Sequence, residues 1–547
     1  MSHTLSHPDS SRRLAALFQK YLDETCERFP EMGSRLGFDR FRPFLGRNTA
    51  ADHQAQIQLT RETLAALEEL PPSSFAGDDW LDRRCFLSHL RHHQLMDDEL
   101  ERWRTNPQIH VDAAVESLFE LVVHARGQLS KVLDPLASRL QALPDYLEAG
   151  AQNIKHPVPL WTALAEQSCE GAVEFVRELE PDLVRVAPRP DKFQQLCSGA
   201  IRAFELYARS ISRKKSGPDN GFSLGRERFE FLMRERLGLD WSLPEALAAG
   251  RAQIERCRVE LEAEARRHGR RRASDVLAEA ATNWTPSEPL IDLYRSSTTR
   301  LRQALESESI VTLPGSEQLD VLPVPAFLRH QFPTAAYSAP PPYAKAQRGI
   351  FWVNDLSLLA KTPTAARKEV AQHYGLELTC GHEAYPGHHL QFVIQNRHPS
   401  KIRRLADHSI YYEGWTMWCE KILVDRGLIA DPNARLIQLH DALWRAHRIV
   451  IDCGLHDGSL TFSGACRELC RGVGFTPARA RGDVNWYTAS PTVPMSYLLG
   501  RLEVEKLYSG MTAEKRLNLQ QFNDWVLSHG AIPWSWIWQS RLSGLGG

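Results

Sequence analysis

No stretch of this 547-residue chain is apolar for the length that a helical membrane span demands. Neither sign of charge dominates: 66 Lys and Arg stand against 67 Asp and Glu, a net charge of -1. That balance removes the overall basic field of a nucleic-acid binder and the acidic excess of a disordered chain. Cys-x-x-Cys is absent. The ten cysteines are scattered, and nothing near Cys466 and Cys470, one helical turn apart, completes a metal set. They read as buried thiols of a reducing cytosol. The N-terminal segment MSHTLSHPDSSRRLAALFQKYLDETC lacks the apolar core and small-residue cleavage site of a signal peptide. A cytoplasmic protein without membrane contact is the expectation. Internal repeats and low-complexity tracts are also missing.

What is present is helix. Apolar residues make up 43% and charged residues 24%, as in ordinary globular proteins, and the length implies two or more packed lobes. Leu14, Leu17, Phe18 and Tyr21 share one helical face, as do Ile57, Leu64 and Leu67 before the turn at Pro71-Pro72. Ser242 to Glu245 is a capping box with Pro244 in the first turn. It opens a helix carrying Leu247, Ile254, Leu261 and Ala265 that ends near Gly269. The basic run Arg266 to Arg272 then reads as a solvated helix end and turn. Thr364 starts a helix that leads into a histidine cluster. Strand signals are confined to Val321–Val324 and Gly349–Val353. Proline clusters at Pro188–Pro190 and Pro340–Pro342 punctuate the chain, the second, with Tyr343, forming an extended wall. The expected division is an N-terminal helical lobe, 1–220, with little concentrated chemistry, and a catalytic helical lobe, 221–547.

The chemistry concentrates at Gly381 to Gln391, GHEAYPGHHLQ. A zinc-hydrolase helix usually carries His-Glu-x-x-His, because residues four apart lie one turn apart and both imidazoles reach one ion. Here the residue four after His382 is Pro386, and the next histidines are His388 and His389. Residues six or seven apart lie about 9–10 Å apart along a straight helix, too far to share a metal. The backbone must therefore bulge or kink between them. Pro386 lacks the amide hydrogen that would continue the helix, and Gly387 tolerates unusual dihedrals. The pair supplies what an insertion into a zinc helix requires. A third ligand is available in YYEGWTMWCEKI: Glu413 follows His388 by 25 residues, among aromatic neighbours where a carboxylate needs a cation or a proton. Glu420, two turns on, is an alternative carboxylate. Glu383, beside the first histidine, is placed to take a proton from water.

HEAYPGHHLQ, EGWTMWCEKI, RIVIDCGLH (Arg448 to His456) and SPTVPMSYLLG (Ser490 to Gly500) occur in that order. The succession resembles the bacterial domain-of-unknown-function 885 family, predominantly helical proteins that look related to zinc carboxypeptidases and dipeptidases. AYSAPPPYAKAQRGIFWVND and LGRERFEFLMRERLGLDWS are similar to further segments of the family. The resemblance implies a mainly α fold with a deep central cleft and a few short strands. It implies one Zn2+ held by His382, by His388 or His389, and by Glu413. His388 demands the smaller helix insertion and is preferred, with His389 second to it or substrate-facing. Glu383 then acts as general base, and His456 and Tyr497 donate hydrogen bonds to an oxyanion. Arg448 binds a substrate carboxylate or pairs with Asp452, which alternatively orients His456. Tyr343 lines the substrate wall.

The chain also departs from the family pattern, carrying Trp486, Val493 and Leu498 where arginine, glutamine and lysine are usual. If those positions face the pocket, the substrate is less charged or differently bound. The expected function is a zinc-dependent hydrolase of an amide in a short peptide or amino-acid conjugate, within a small-molecule pathway. The alternatives are a metal-dependent non-hydrolytic enzyme, since two histidines and a carboxylate also suit iron, and an inactive binding protein. The expected partner is a small-molecule or short-peptide substrate, with no nucleic acid and no membrane. The oligomeric state is open, a homodimer being one option.

Overall fold

The computed structural model describes residues 8–269, 272–325, 329, 334–513 and 517–544. Helices dominate, and the described strands form one three-stranded sheet. The chain divides into two compact units. One comprises the residues up to Gly221 together with Pro341–Lys345; the other comprises Phe222–Pro340 and the chain from Ala346 onward.

In the first unit, the helix Pro8–Arg28 buries Leu14, Phe18 and Tyr21, the face its periodicity marks. Thr49 and Asp52 form a reciprocal capping box at the start of Ala50–Glu68, where Ile57, Leu64 and Leu67 are buried. One long helix ends at Val186 and the next starts at Pro190, so the first proline cluster is a helix boundary. Tyr343 belongs to this unit. Its ring stacks on Phe38 at 4.7 Å and its amide donates to the Leu36 carbonyl at 2.9 Å. Tyr343, expected to line a substrate wall, is placed with one ring face packed on Phe38.

The second unit carries the sheet. β1 (Gln318–Pro323), β2 (Ala335–Ser338) and β3 (Arg348–Val353) lie in the order β1-β3-β2, with β1 parallel and β2 antiparallel to β3. β3 is central, and Gly349 to Val353 are all buried, which explains the continuous apolar run IFWV. The periodicity misses β2, a strand of four residues.

The Ser242–Glu245 capping box is present, with the Ser242 amide donating to Glu245 at 2.7 Å. Its helix, Leu243–Arg267, runs along Ala434–Asp457. Of the basic run beyond it, Arg270 and Arg271 lie outside the described residues. The helix expected from Thr364 into the histidines is two helices. Pro363–Ala371 is capped by Thr362, whose hydroxyl accepts from the Ala365 amide at 3.2 Å. Gly375, at φ +83°, then turns the chain before Leu376–Glu383.

Ser409–Asp425 packs on Val493–Ala513. Their backbones touch where two glycines meet: a Cβ on Gly500 would lie 2.1 Å from the Ile410 carbonyl oxygen and 2.7 Å from the Gly414 Cα. No side chain fits between the helices there, and the close crossing sets Tyr497 beside Glu413. Cavities of about 860 and 200 Å3 lie in the first unit, and one of about 270 Å3 lies beside Glu377. None of the three is lined by a candidate ligand, so they do not supply the deep central cleft expected from the family.

Gly500→Ala should force the two helices apart and cost about 3 kcal/mol or more, the upper range for overpacking. Gly510→Ala, on the same helix with only ordinary contact to Trp538 at 3.7 Å, should be neutral or stabilising by about 0.5–1 kcal/mol. Thermal or urea denaturation of the two variants checks the contrast.

Candidate metal centre

Leu376–Glu383 ends just past His382, and a new helix, His388–Gln395, begins with His388. The intervening Ala384–Gly387 turns sharply through a cis Tyr385-Pro386 peptide. Gly387 passes so close to the first helix that a Cβ on it would sit 1.8 Å from the His382 carbonyl oxygen. Only glycine permits that approach. Trp415, two residues after Glu413, holds the turn from the opposite helix, its Nε1 donating to the Pro386 carbonyl at 2.9 Å.

The turn brings the Nε2 atoms of His382 and His388 to 3.6 and 3.5 Å from Glu413 Oε2. The donor atoms of the three residues lie within 4.8 Å of one another. Ligands about 2 Å from a tetrahedral ion are separated by roughly 3.4 Å, so the His–Glu spacings suit a shared ion. They are too long for good hydrogen bonds, and Glu413 Oε2 is buried without a hydrogen-bond partner. A buried carboxylate oxygen facing two imidazole nitrogens is a donor set whose chemistry fits a divalent cation. His388, not His389, completes it. The three residues are 7–8% exposed, enough for contact with solvent.

Glu420, named from the sequence only as a substitute ligand, takes a different place: its Oε1 meets His382 Nδ1 at 2.7 Å. A carboxylate on the distal nitrogen fixes the ring so that Nε2 faces the metal position. The spacing of Glu413 and Glu420 carried this signal, since residues seven apart share a helix face. Burial alone would lower the His382 pKa, but the Glu413, Glu420 and Glu383 carboxylates outweigh it and raise it to about 10. For Glu413, burial acts upward, and the charge and contact of His388 and His382 hold it below the usual carboxylate range. Glu383 ends the first helix, half-buried. Burial raises its pKa, while His382 and His388 partly offset the rise.

Tyr497 stands at this centre. Its ring lies 6.4 Å from the His382 ring, nearly parallel at 15°, and its hydroxyl interacts with Glu413. Burial first, then the Glu413 charge, raise its pKa, so it stays a phenol that can donate. Asp452 helps to position it: the Thr492 and Met495 amides donate to the Asp452 carboxylate at 3.3 and 3.2 Å, capping the helix that bears Tyr497. Tyr337, Phe392 and Tyr412, which the motifs do not single out, lie 6.5, 5.9 and 6.0 Å from the His388 ring and are half-buried.

Other expectations are corrected. His389 is fully buried, its Nδ1 paired with the Tyr337 hydroxyl at 3.0 Å. Successive helical residues point about 100° apart, so with His388 at the centre His389 faces the sheet and does not line a substrate site. Burial lowers its pKa to about 3, which keeps it neutral. His456 is fully enclosed, stacked on Phe229 at 5.7 Å, with Nε2 3.0 Å from the Tyr487 carbonyl. That is a packing position, not an oxyanion donor. Arg448 does not pair with Asp452: its Nε donates to the Tyr487 hydroxyl at 2.8 Å. Of the three departures, Leu498 is fully buried, Val493 half-buried, and Trp486 exposed within 6.4 Å of the Tyr497 ring.

The family model of bacterial proteins of unknown function called DUF885 matches residues 30–539. No curated protein matches the chain. Two solved structures are similar over almost their whole length. One is a candidate lipoprotein of unknown function from Shewanella oneidensis, with a TM-score of 0.76 and 18% identity over 97% of this chain and 99% of that one. The other, a candidate lipoprotein from Colwellia psychrerythraea, has a TM-score of 0.69 and 17% identity over 98% of both. At such identity the likeness concerns the fold alone.

Glu420→Gln should weaken zinc binding about 10–100-fold, the usual cost of losing a partner behind a ligating histidine. Because His382 carries a proton at neutral pH in the metal-free protein, zinc uptake at pH 7.5 should release about one proton. Calorimetry in buffers of different ionisation enthalpy, with a competing chelator, measures both.

Proposed function

For a chain that belongs to the DUF885 family, whose name assigns no activity, we propose a zinc-dependent hydrolase that cleaves an amide bond in a short peptide or amino-acid conjugate. The observation that carries this reading is the convergence of His382, His388 and Glu413 on one point, with Glu420 behind the first imidazole. Two histidines and one carboxylate would hold a zinc through three protein ligands and leave it open to water, as in a catalytic rather than a structural site.

Zinc in this position supplies Lewis acidity, polarising a carbonyl and making water acidic. The remaining work falls to the chain. Glu383 takes a proton from the attacking water on its carboxylate and returns it to the leaving nitrogen. Its raised pKa suits both halves of that exchange. The Tyr497 phenol donates toward the carbonyl oxygen as negative charge grows there, which favours the transition state over the substrate. Glu413 remains an anion throughout. Its charge offsets that of a bound dication, and its contact with Tyr497 orients the phenol. The half-buried rings of Tyr337, Phe392 and Tyr412 give the His388 side an apolar lining for a substrate side chain.

The ten cysteines are thiols, not disulfides, which supports a reducing compartment such as the cytoplasm. The lipoprotein label belongs to the two structural neighbours.

Glu383→Gln should keep zinc content while reducing turnover about 10^2–10^4-fold. Metal analysis of protein purified without added metal, joined to a screen of dipeptides and N-acylated amino acids, tests the reading. Undiminished turnover in the variant removes the base. Stoichiometric iron with oxygen-dependent activity would replace hydrolysis by redox chemistry.

A further inference from the structure

The first unit holds a cavity of about 200 Å3 that the metal chemistry does not use. Ile109, Ala113, Glu116 and Glu120, three or four residues apart on one face of the Gln108–Ala125 helix, form one side of it. Tyr146 of the Leu133–Asn153 helix lines it as well, with Phe29, Glu31 and His53. A cavity of about 150 Å3 is large enough for benzene, so this one has room for a single substituted ring.

The charges around it do not balance. Arg35 Nη1 pairs with Glu116 Oε2 at 2.8 Å, and Arg139 Nη1 donates to Glu120 Oε1 at 2.7 Å. Those two pairs leave Glu31 over. The charges of Arg139 and Arg35 act on its carboxylate without a hydrogen bond, and its donors are backbone amides, its own and that of Gly46 at 2.9 Å. A Cβ on Gly46 would lie 3.2 Å from Glu31 Oε2, so the loop backbone holds the carboxylate closely. Burial raises its pKa, the mark of a carboxylate short of a counter-charge.

Tyr146 is the second unfinished group. It is 4% exposed, and among the described residues its hydroxyl makes no hydrogen bond. Burial first, then the Glu31 charge, raise its pKa, so it stays a phenol whose oxygen can accept. A buried hydroxyl without a partner is costly, and this one lines a cavity beside an anion. The histidines of the wall add no positive charge. Burial lowers His53 and His110 to about 4, and the His53 ring is fixed by stacking on Trp103 at 4.5 Å and 7°.

We propose that this cavity binds a small primary ammonium ion on an aromatic body. Such an ion has three N–H donors. One meets the Glu31 carboxylate and one the Tyr146 phenol oxygen, while the body lies against Phe29, His53 and Ile109, where aromatic faces also attract the cation. An amine is what an amide hydrolase releases, so the occupant has the chemistry of a product, but the site does not depend on that reading.

The test titrates benzylamine and its neutral counterpart benzyl alcohol into zinc-loaded protein at pH 7.5, by calorimetry and ligand-observed NMR. The amine should bind at least about tenfold tighter, the difference a charge-assisted hydrogen bond supplies. Glu31→Gln, which keeps an acceptor for the Gly46 amide, should level the two affinities. Tyr146→Phe should weaken the amine several-fold, and Ala113→Leu, which fills the cavity, should abolish binding of both ligands. No binding of benzylamine to the wild type, equal binding of the alcohol, or a preference that survives in Glu31→Gln or Ala113→Leu would each overturn the site. The last outcome would place the amine elsewhere, at the carboxylates of the metal centre for example. Melting curves establish that each variant is folded, and the wild-type comparison with Ala113→Leu decides the matter if Glu31→Gln is not. Turnover is read in no arm, so failure of the hydrolase reading leaves the result standing.

Discussion

The candidate centre depends on a backbone break four residues long. A continuous helix from Leu376 onward would separate His382 and His388 by about 9 Å of rise, and no rotamer change closes that gap. Ending the helix at Glu383 and restarting it at His388 folds the two imidazoles onto one carboxylate oxygen. Each participant in the break has a physical task. Pro386 cannot donate to the helix ladder, Gly387 lets backbone pass against backbone, and Trp415 ties the exposed Pro386 carbonyl to the helix that carries Glu413. The turn and the third ligand are thereby fixed to each other.

Charge explains why such a cluster calls for an ion. Glu383, Glu413 and Glu420 crowd around His382 and His388, so three carboxylates meet two imidazoles in a poorly solvated setting. Buried charges are tolerated when paired and hydrogen-bonded. Glu420 is satisfied by His382 Nδ1, whereas Glu413 Oε2 faces two nitrogens at distances too long for good hydrogen bonds. In the absence of metal, the balance is restored by a proton on His382, as its elevated pKa indicates. A dication placed there would compete with that proton for the same nitrogen, so binding at these residues would depend on pH.

Much of this was legible in GHEAYPGHHLQ and EGWTMW, because spacing, proline and glycine report directly on local geometry. Long-range contacts were not legible. Tyr343 and His456 carry suitable functional groups, yet one is stacked on Phe38 and the other on Phe229, and a motif contains no information about burial. Arg448 and Asp452 are correctly spaced for an i,i+4 pair, but each finds a better partner elsewhere: the Tyr487 hydroxyl for one, two backbone amides for the other. β2 is short enough to escape a periodicity of two, and the helix break at Gly375 falls within a pattern that continues on either side of it. The Gly414–Gly500 crossing leaves no signal beyond two unremarkable glycines on different helices.

The departures from the family pattern weigh differently once placed. Leu498 is sealed in the interior and Val493 is half-buried, whereas Trp486 stands at the solvent edge, over Arg448 and close to Tyr497. A tryptophan there presents a rigid ring at the solvent edge. The ring limits solvent access to the Arg448 guanidinium, and a lower local dielectric strengthens its electrostatics. The Arg448 guanidinium beneath it is held in place by Tyr487 and surrounded by aromatic faces.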